Sequence, residues 1–225
     1  HDVEMAGIHH DWGVAPYDEI HRLQQQLVLA RAEDRIPNLL LTGEHPAVIT
    51  LGRKTPDGDA YPGEVPVVKV ERGGEATIHG PGQLVAYPLI HLTRARRDLH
   101  TYQRDLEEIG IRTLAEFGIE AGRKEGWTGV WTPRGKVQSL GIAVRRWVTW
   151  HGLALNVNSD LAPFRAFKPC GLDGSVMTSM AEILGHEIDF ATVRTALLRH
   201  CDELLPGGPF LTGPLPEMTA PASSA

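Results

Sequence analysis

Cysteine is scarce in this chain: Cys170 and Cys201 are the only two in 225 residues. Two thiols over such a length make no disulfide framework, so a reducing compartment, and with it a cytoplasmic location, is the expectation. No apolar run approaches the roughly 20 residues that span a bilayer, which argues against membrane insertion. No secretory signal is recognisable either. Positive charge is in deficit, with a formal net charge of −6. Neutralising phosphates takes a surplus of Lys and Arg, so nucleic acid is not an expected partner. His45, His79 and His151 stand beside turn residues without the His-x3-His or Cys-x2-Cys spacing of metal sites, so neither a metal nor an organic cofactor is expected.

What the chain does have is an ordinary globular composition, 42% apolar and 22% charged, enough to bury a core without staples. Pro16 opens a helix to about Ala32, with Ile20, Leu23, Leu27 and Val28 on one face. Short runs at 38–42, 47–51 and 67–70 read as strands, and residues 52–65 as a long loop. Strands at 75–79 and 84–90 flank a Gly80-Pro81-Gly82 break. Asp98 caps a second helix through Phe117 that Gly118 ends. Strands follow at 128–131, 137–144 and 148–157. Asp173 or Ser175 is expected to cap a helix through Leu184, and Asp189 to start the last helix, with Cys201 on its apolar face. This order is not a strict βαβα repeat. It predicts an α+β fold in which helices cover a mixed, mostly antiparallel sheet. Residues 1–205 are expected to form one catalytic domain, and the Pro- and Gly-rich residues 206–225 a disordered tail.

The two thiols are unequal. Cys201 lies between Leu198 and Leu204 on a helix face, where core packing is its expected role. Cys170 sits in Lys168-Pro169-Cys170-Gly171-Leu172, between a residue that stiffens the backbone and one that frees it. There it is either a nucleophile with backbone N–H groups near a developing oxyanion, or a buried structural thiol. Lys136, at a strand start, is either a solvated edge charge or, if folded against Cys170, an ammonium that favours the thiolate. In the stretch from Arg72 to Gln83, Gly73, Gly74, Gly80 and Gly82 interrupt strand-like sequence. Glycines in such places mark bulges, tight turns or close approach of backbone to a ligand. The stretch is neither a phosphate loop nor a dinucleotide-binding turn.

Several blocks, taken in order, resemble the lipoate-protein ligase B family, the octanoyl-carrier-protein:protein octanoyltransferases. They are Glu44-His45-Pro46-Ala47-Val48 with Gly52-Arg53, Arg72 to Gln83, Lys136 with Ser139-Leu140-Gly141-Ile142, His151 to Asn156, and Pro169-Cys170-Gly171-Leu172. Together they span roughly residues 10–205. One departure is Ile78, where the family often has an aromatic residue before the histidine.

The resemblance implies a fold shared with biotin and lipoate ligases and transfer of octanoyl from acyl carrier protein to a lipoyl-domain lysine. The implied acceptors are the lipoyl domains of 2-oxoacid dehydrogenase complexes and the glycine cleavage H protein. It implies Cys170 as acyl-thioester nucleophile and Lys136 as the residue that lowers its pKa. It further implies an acyl site lined by Arg72, Gly73, Gly74, Glu75, Ala76, Thr77, Ile78, His79, Ser139, Leu140, Gly141, Gly152, Leu153 and Ala154. Rival readings are an ATP-dependent lipoate or biotin ligase, which needs no nucleophilic cysteine, and a non-catalytic carrier-protein-binding module. A papain-like hydrolase is disfavoured by the late position of Cys170 and the absence of a Cys-Gly-Ser-Cys-Trp segment.

Overall fold

In the computed structural model, residues 6–55, 64–74, 76–165 and 176–218 are described. Eleven strands and five helices are found among them. They are β1 (Gly7–Val14), α1 (Tyr17–Ala32), β2 (Leu39–Glu44), β3 (Val48–Leu51), β4 (Val67–Lys69), β5 (Ala76–His79), β6 (Gln83–Leu89), α2 (Leu99–Glu116), β7 (Gly122–Lys124), β8 (Trp127–Thr132), β9 (Gly135–Arg145), β10 (Val148–Asn156), α3 (Ala162–Arg165), α4 (Met180–Leu184), α5 (Phe190–Leu204) and β11 (Phe210–Thr212). Eight strands form one sheet in the order β11-β1-β2-β6-β10-β9-β8-β7, and three form a second in the order β4-β3-β5. β1 runs parallel to both β11 and β2, and the rest of the large sheet is antiparallel. The expected mixed, mostly antiparallel α+β architecture is therefore present.

Both faces of the large sheet are covered, which is why its central strands read as unbroken apolar runs. Side chains alternate across the pleat. Leu40, Leu84, Ala86, Leu153 and Leu155 pack with Leu106, Ile109 and Leu114 of α2 and Val193, Leu197 and Cys201 of α5. Leu39, Leu41, Val85, Tyr87, Leu89 and Ala154 pack with Ile20, Leu27 and Val28 of α1 on the opposite face. Each fully buried Leu or Ile here contributes roughly 1.5–3 kcal/mol of transfer free energy.

Local chemistry starts and stops the helices. Asp98 accepts from the His100 and Thr101 N–H groups, and Asp189 from Thr192 N–H, satisfying donors that a first helical turn leaves open. Pro16 occupies the N-cap of α1. The short helix α4 is capped by Ser179, whose Oγ accepts from Glu182 N–H at 3.1 Å. The expected caps Asp173 and Ser175 lie outside the described residues.

Three elements depart from expectation. β1 was hidden by its polar content, since His9, His10 and Asp11 break any apolar alternation. Buried His9 nevertheless satisfies both ring nitrogens, on Thr42 Oγ1 at 2.7 Å and Thr212 Oγ1 at 2.9 Å. β7 is a short hairpin partner of β8. The expected disorder of 206–225 does not hold over its first part. There β11 extends the sheet beside β1, and buried Phe210 is fixed by its N–H on Asp202 Oδ1 at 2.9 Å. Among the described residues no helix is long and apolar enough to cross a membrane.

Candidate active site

The small sheet and the edge of β9 create a groove. β8 pairs with β9 from Thr132↔Gly135 to Val130↔Gln138. Beyond Gln138, that edge of β9 meets the Gly-rich stretch instead: Gly73 N–H donates to Ile142 C=O at 3.0 Å. β5 is held antiparallel to β3, with His79 opposite Val48 and Thr77 opposite Thr50.

Arg72 ties these pieces together. Its guanidinium is buried and donates to Thr50 Oγ1 at 2.7 Å, Thr50 C=O at 3.1 Å and Gly73 C=O at 2.9 Å. Two glycines make its slot. A Cβ on Gly141 would lie 2.6 Å from Arg72 Cδ, and one on Gly52 would lie 2.3 Å from the Gly74 carbonyl. Gly52 and Gly141, both outside the Gly-rich stretch, thus permit a close approach of chain to chain.

Lys136 lies on β9 and is buried despite its charge. Its Nζ stands 5.8 Å from the Trp131 ring centroid, a cation–π distance. Gly129 of β8, with φ +99°, lies against it: a Cβ there would come within 2.6 Å of Lys136 Cε. Gly129 is itself fixed by its N–H on the buried Glu107 carboxylate at 3.0 Å. The backbone of Lys136 bridges in parallel to Met177, and its carbonyl accepts from Thr178 N–H at 2.9 Å. The chain that resumes after the cysteine-bearing stretch is thus stitched to Lys136. Cys170 and Glu75 lie outside the described residues.

His79 and His45 are neutral. Burial, then the neighbouring His45, push His79 down to about 3, although its bond to Gln83 works the other way. Gln83 Nε2 donates to Ile78 C=O and Asn156 Oδ1, so its Oε1 faces His79 Nδ1 at 2.7 Å. That arrangement assigns the His79 proton to Nδ1 and leaves Nε2 an acceptor. Burial likewise lowers His45 to about 4; its Nδ1–H donates to Ala15 C=O at 2.8 Å and its Nε2 accepts from Tyr87 Oη–H at 2.9 Å. Tyr17 stacks on His79 with ring centroids 5.7 Å apart.

Two cavities share a wall made of Arg72, Thr77, Ser139, Leu140 and Gly141. The larger, about 670 Å³, falls within the range of small-molecule sites. It is lined also by Gly73, Gly74, Ala76, Ile78, Lys136 and Met177. The smaller, about 20 Å³, lies against His79, Gly152, Leu153 and Ala154, with Tyr17, Tyr87 and His151 completing it. All the described residues expected around an acyl chain therefore come together, and Lys136 with them. Sequence reasoning missed Tyr17, Tyr87, Trp127 and Met177 as lining residues. It also missed Gly129, whose place inside a strand was the available signal. Cys201 is buried in the α5 core, and burial pushes its thiol up, as suits an inert packing residue.

Comparisons with known proteins agree with this geometry. Residues 16–202 match the lipoyl protein ligase A/B catalytic domain. An octanoyltransferase of Syntrophotalea carbinolica is 47% identical over 195 residues, covering 87% of this chain and 92% of that protein. One of Geobacter metallireducens is 46% identical, covering 83% and 88%. Among solved structures, lipoate-protein ligase A bound with ATP superposes with TM-score 0.75 at 16% identity, covering 93% of this chain and 90% of that one. The Aquifex aeolicus biotin protein ligase in complex with biotin and ATP does so with TM-score 0.56 at 16% identity, covering 89% and 71%. The distant structures establish the fold, and the close relatives establish that the chain belongs to the octanoyltransferase family of lipoyl protein ligase A/B catalytic domains.

Proposed function

We propose that this protein moves an octanoyl group from octanoyl-acyl carrier protein to a lysine of apo lipoyl domains, in lipoate biosynthesis, through a thioester on Cys170. The acceptors in this reading are the lipoyl domains of 2-oxoacid dehydrogenase complexes and the glycine cleavage H protein. The carrying observation is the placement of Lys136: a buried lysine lines the same cavity as Arg72, Thr77, Ser139 and Gly141. Supporting it, the backbone of Lys136 forms a parallel bridge beside Met177 and its carbonyl accepts from Thr178 N–H, a few residues after Cys170 in sequence.

In the first step the Cys170 thiolate attacks the thioester carbonyl, and the bond to the pantetheine sulfur breaks. That sulfur leaves with the electron pair and takes a proton from the Lys136 ammonium. In the second step the acceptor amine attacks the Cys170 thioester. Neutral Lys136 takes the amine proton, the Cys170 thiolate departs, and an amide remains. One group serves as acid and then as base, so each turnover returns Lys136 to its starting state. Exchange of one thioester for another is close to thermoneutral, so no ATP enters. A cytoplasmic location belongs to the same proposal and rests on the cysteine-poor composition.

The test is intact mass of wild-type and Cys170→Ala protein after exposure to octanoyl-acyl carrier protein without ATP. An octanoyl adduct on wild type alone is the expected result. An adduct that survives Cys170→Ala removes Cys170 as nucleophile. Activity retained by that variant with strict ATP dependence replaces the proposal with an adenylating ligase.

A further inference from the structure

Outside the proposed acyl-transfer chemistry, three side chains from three separate elements meet beside the smaller cavity, which His151 also lines. His21 comes from α1, Glu71 from the stretch after β4, and His151 from β10. His21 Nε2 and His151 Nε2 each lie 2.8 Å from Glu71 Oε1, and the three ligand atoms all lie within 4.8 Å of one another. The His151 side chain is 2% exposed, that of His21 16% and that of Glu71 42%, so the group is closed on the protein side and open toward solvent. His151 holds φ +55°, a backbone conformation uncommon for a residue with a Cβ and one that clusters at functional sites.

We infer that His21, Glu71 and His151 form a binding site for one zinc-class divalent transition ion. Two imidazoles and one carboxylate are a donor set that such ions favour over magnesium or calcium, with remaining positions left for water. Zinc–nitrogen and zinc–oxygen bonds of about 2.0–2.2 Å place tetrahedral ligand atoms about 3.4 Å apart, so the site must open by roughly half an ångström. Glu71, half-buried and outside any strand, can move that far. The Nε2 protons in the present hydrogen bonds would move to Nδ1 or to solvent as the ion enters. Arg72 is the opposing charge nearby; its guanidinium donates to Thr50 Oγ1 and C=O. An ion here would clamp α1, β10 and the Glu71 segment together beside the smaller cavity.

The experiment is cobalt(II) titration of chelator-stripped protein, read by visible absorption, in wild type, Cys170→Ser, His21→Ala and Glu71→Gln. Thermal melting in chelator shows that each variant folds, and His21→Gln replaces His21→Ala if the latter does not. The expected result is saturation at one equivalent in wild type and Cys170→Ser, without a sulfur-to-cobalt band. Binding should weaken about tenfold or more in the His21 and Glu71 variants. Zinc should raise the melting midpoint of wild type and not of those variants. No cobalt binding by wild type overturns the inference. So does binding indifferent to His21 and Glu71, or a sulfur-to-cobalt band that disappears in Cys170→Ser.

Discussion

The two faces of the large sheet are built from different materials. On the α2–α5 face the contacts are almost wholly aliphatic, with Leu106, Ile109, Leu114, Val193 and Leu197 locked against Leu84, Leu153 and Leu155. On the α1 face Leu39, Leu41, Val85 and Leu89 also meet Ile20, Leu27 and Val28, but next to the cavity the filling includes rings with polar atoms: Trp12, Tyr17, His21, His45, Tyr87, Trp150 and His151, many of them stacked or edge-on. Aliphatic packing is indifferent to pH and tolerant of rearrangement. Buried rings with nitrogens and hydroxyls demand partners and a fixed protonation state. The first face should therefore set how stable the protein is, and the second, with Lys136 at the β9 edge, what it does and over which pH range.

The largest effect should come from Lys136→Arg. The positive charge survives, but a guanidinium does not release its proton, so the base required in the second step is lost. Turnover should fall by about 10²–10⁴-fold, the usual worth of a positioned acid–base group, while the melting midpoint moves little. Steady-state kinetics beside thermal melting checks both halves. Wild-type turnover would remove the proton-transfer role.

Leu106→Ala should behave in the opposite way. Leu106 is fully buried in α2, and truncating such a residue costs about 2–5 kcal/mol by lost transfer and an unfilled cavity. Denaturant melts should show that loss with turnover per folded molecule unchanged. A turnover defect at temperatures where the variant is folded would mean that the two faces are not independent.

Much of this contrast was legible beforehand, and what was not has physical causes. α1, α2, α5 and the central strands follow from period and caps, because burial on one stripe or one pleat leaves its mark in the chain. β1 and β11 left none: one is polar and joined to its partners through His9, and the other is three residues long after a Pro- and Gly-rich stretch. The site roles of Lys136, Arg72, Ser139 and Gly152 came through resemblance to a family, since no local pattern tells a buried lysine from an edge one. The His21–Glu71–His151 group was invisible for a stricter reason. Its members come from a helix, a loop and a strand far apart in the chain, so no ligand spacing exists to be read. The cap of α4 was misplaced because Asp173, Ser175 and Ser179 are all competent caps within one short stretch.

Acid should expose the polar face. His79 and His45, at about 3 and about 4 in the folded protein, would bind protons near 6.5 when unfolded. Between those values the unfolded chain holds more protons, so stability falls as pH drops, by about 1.4 kcal/mol for each pH unit crossed per histidine. Glu71 acts in the same direction and later: its contribution is present above the ordinary carboxyl range and is lost as pH falls through about 2. Melting midpoints from pH 7 to pH 4 should therefore decline steadily, and His79→Gln should flatten the curve. A flat wild-type profile would mean these rings are not held neutral.

The smallest effect tests whether strain belongs to the chemistry or to the scaffold. Arg146 and Trp147 make the two-residue turn from β9 to β10, with φ +50° and +61°, the signature of a type I′ hairpin. Asn accepts that conformation more readily than Arg, so Arg146→Asn should stabilise the protein by a few tenths to about 1 kcal/mol. Trp147 keeps its carbonyl bond to Leu92 N–H and the Arg97 guanidinium 5.1 Å over its ring. His151, only a few residues on in β10, has a similar φ of +55° but holds its ring against Glu71. His151→Asn should relieve the same backbone strain yet lose the buried ring contacts, and so destabilise. Opposite signs for the two substitutions in paired denaturant melts would place the strain at Arg146 in the turn alone and that at His151 in the service of its side chain. Equal stabilisation would deny His151 any such role.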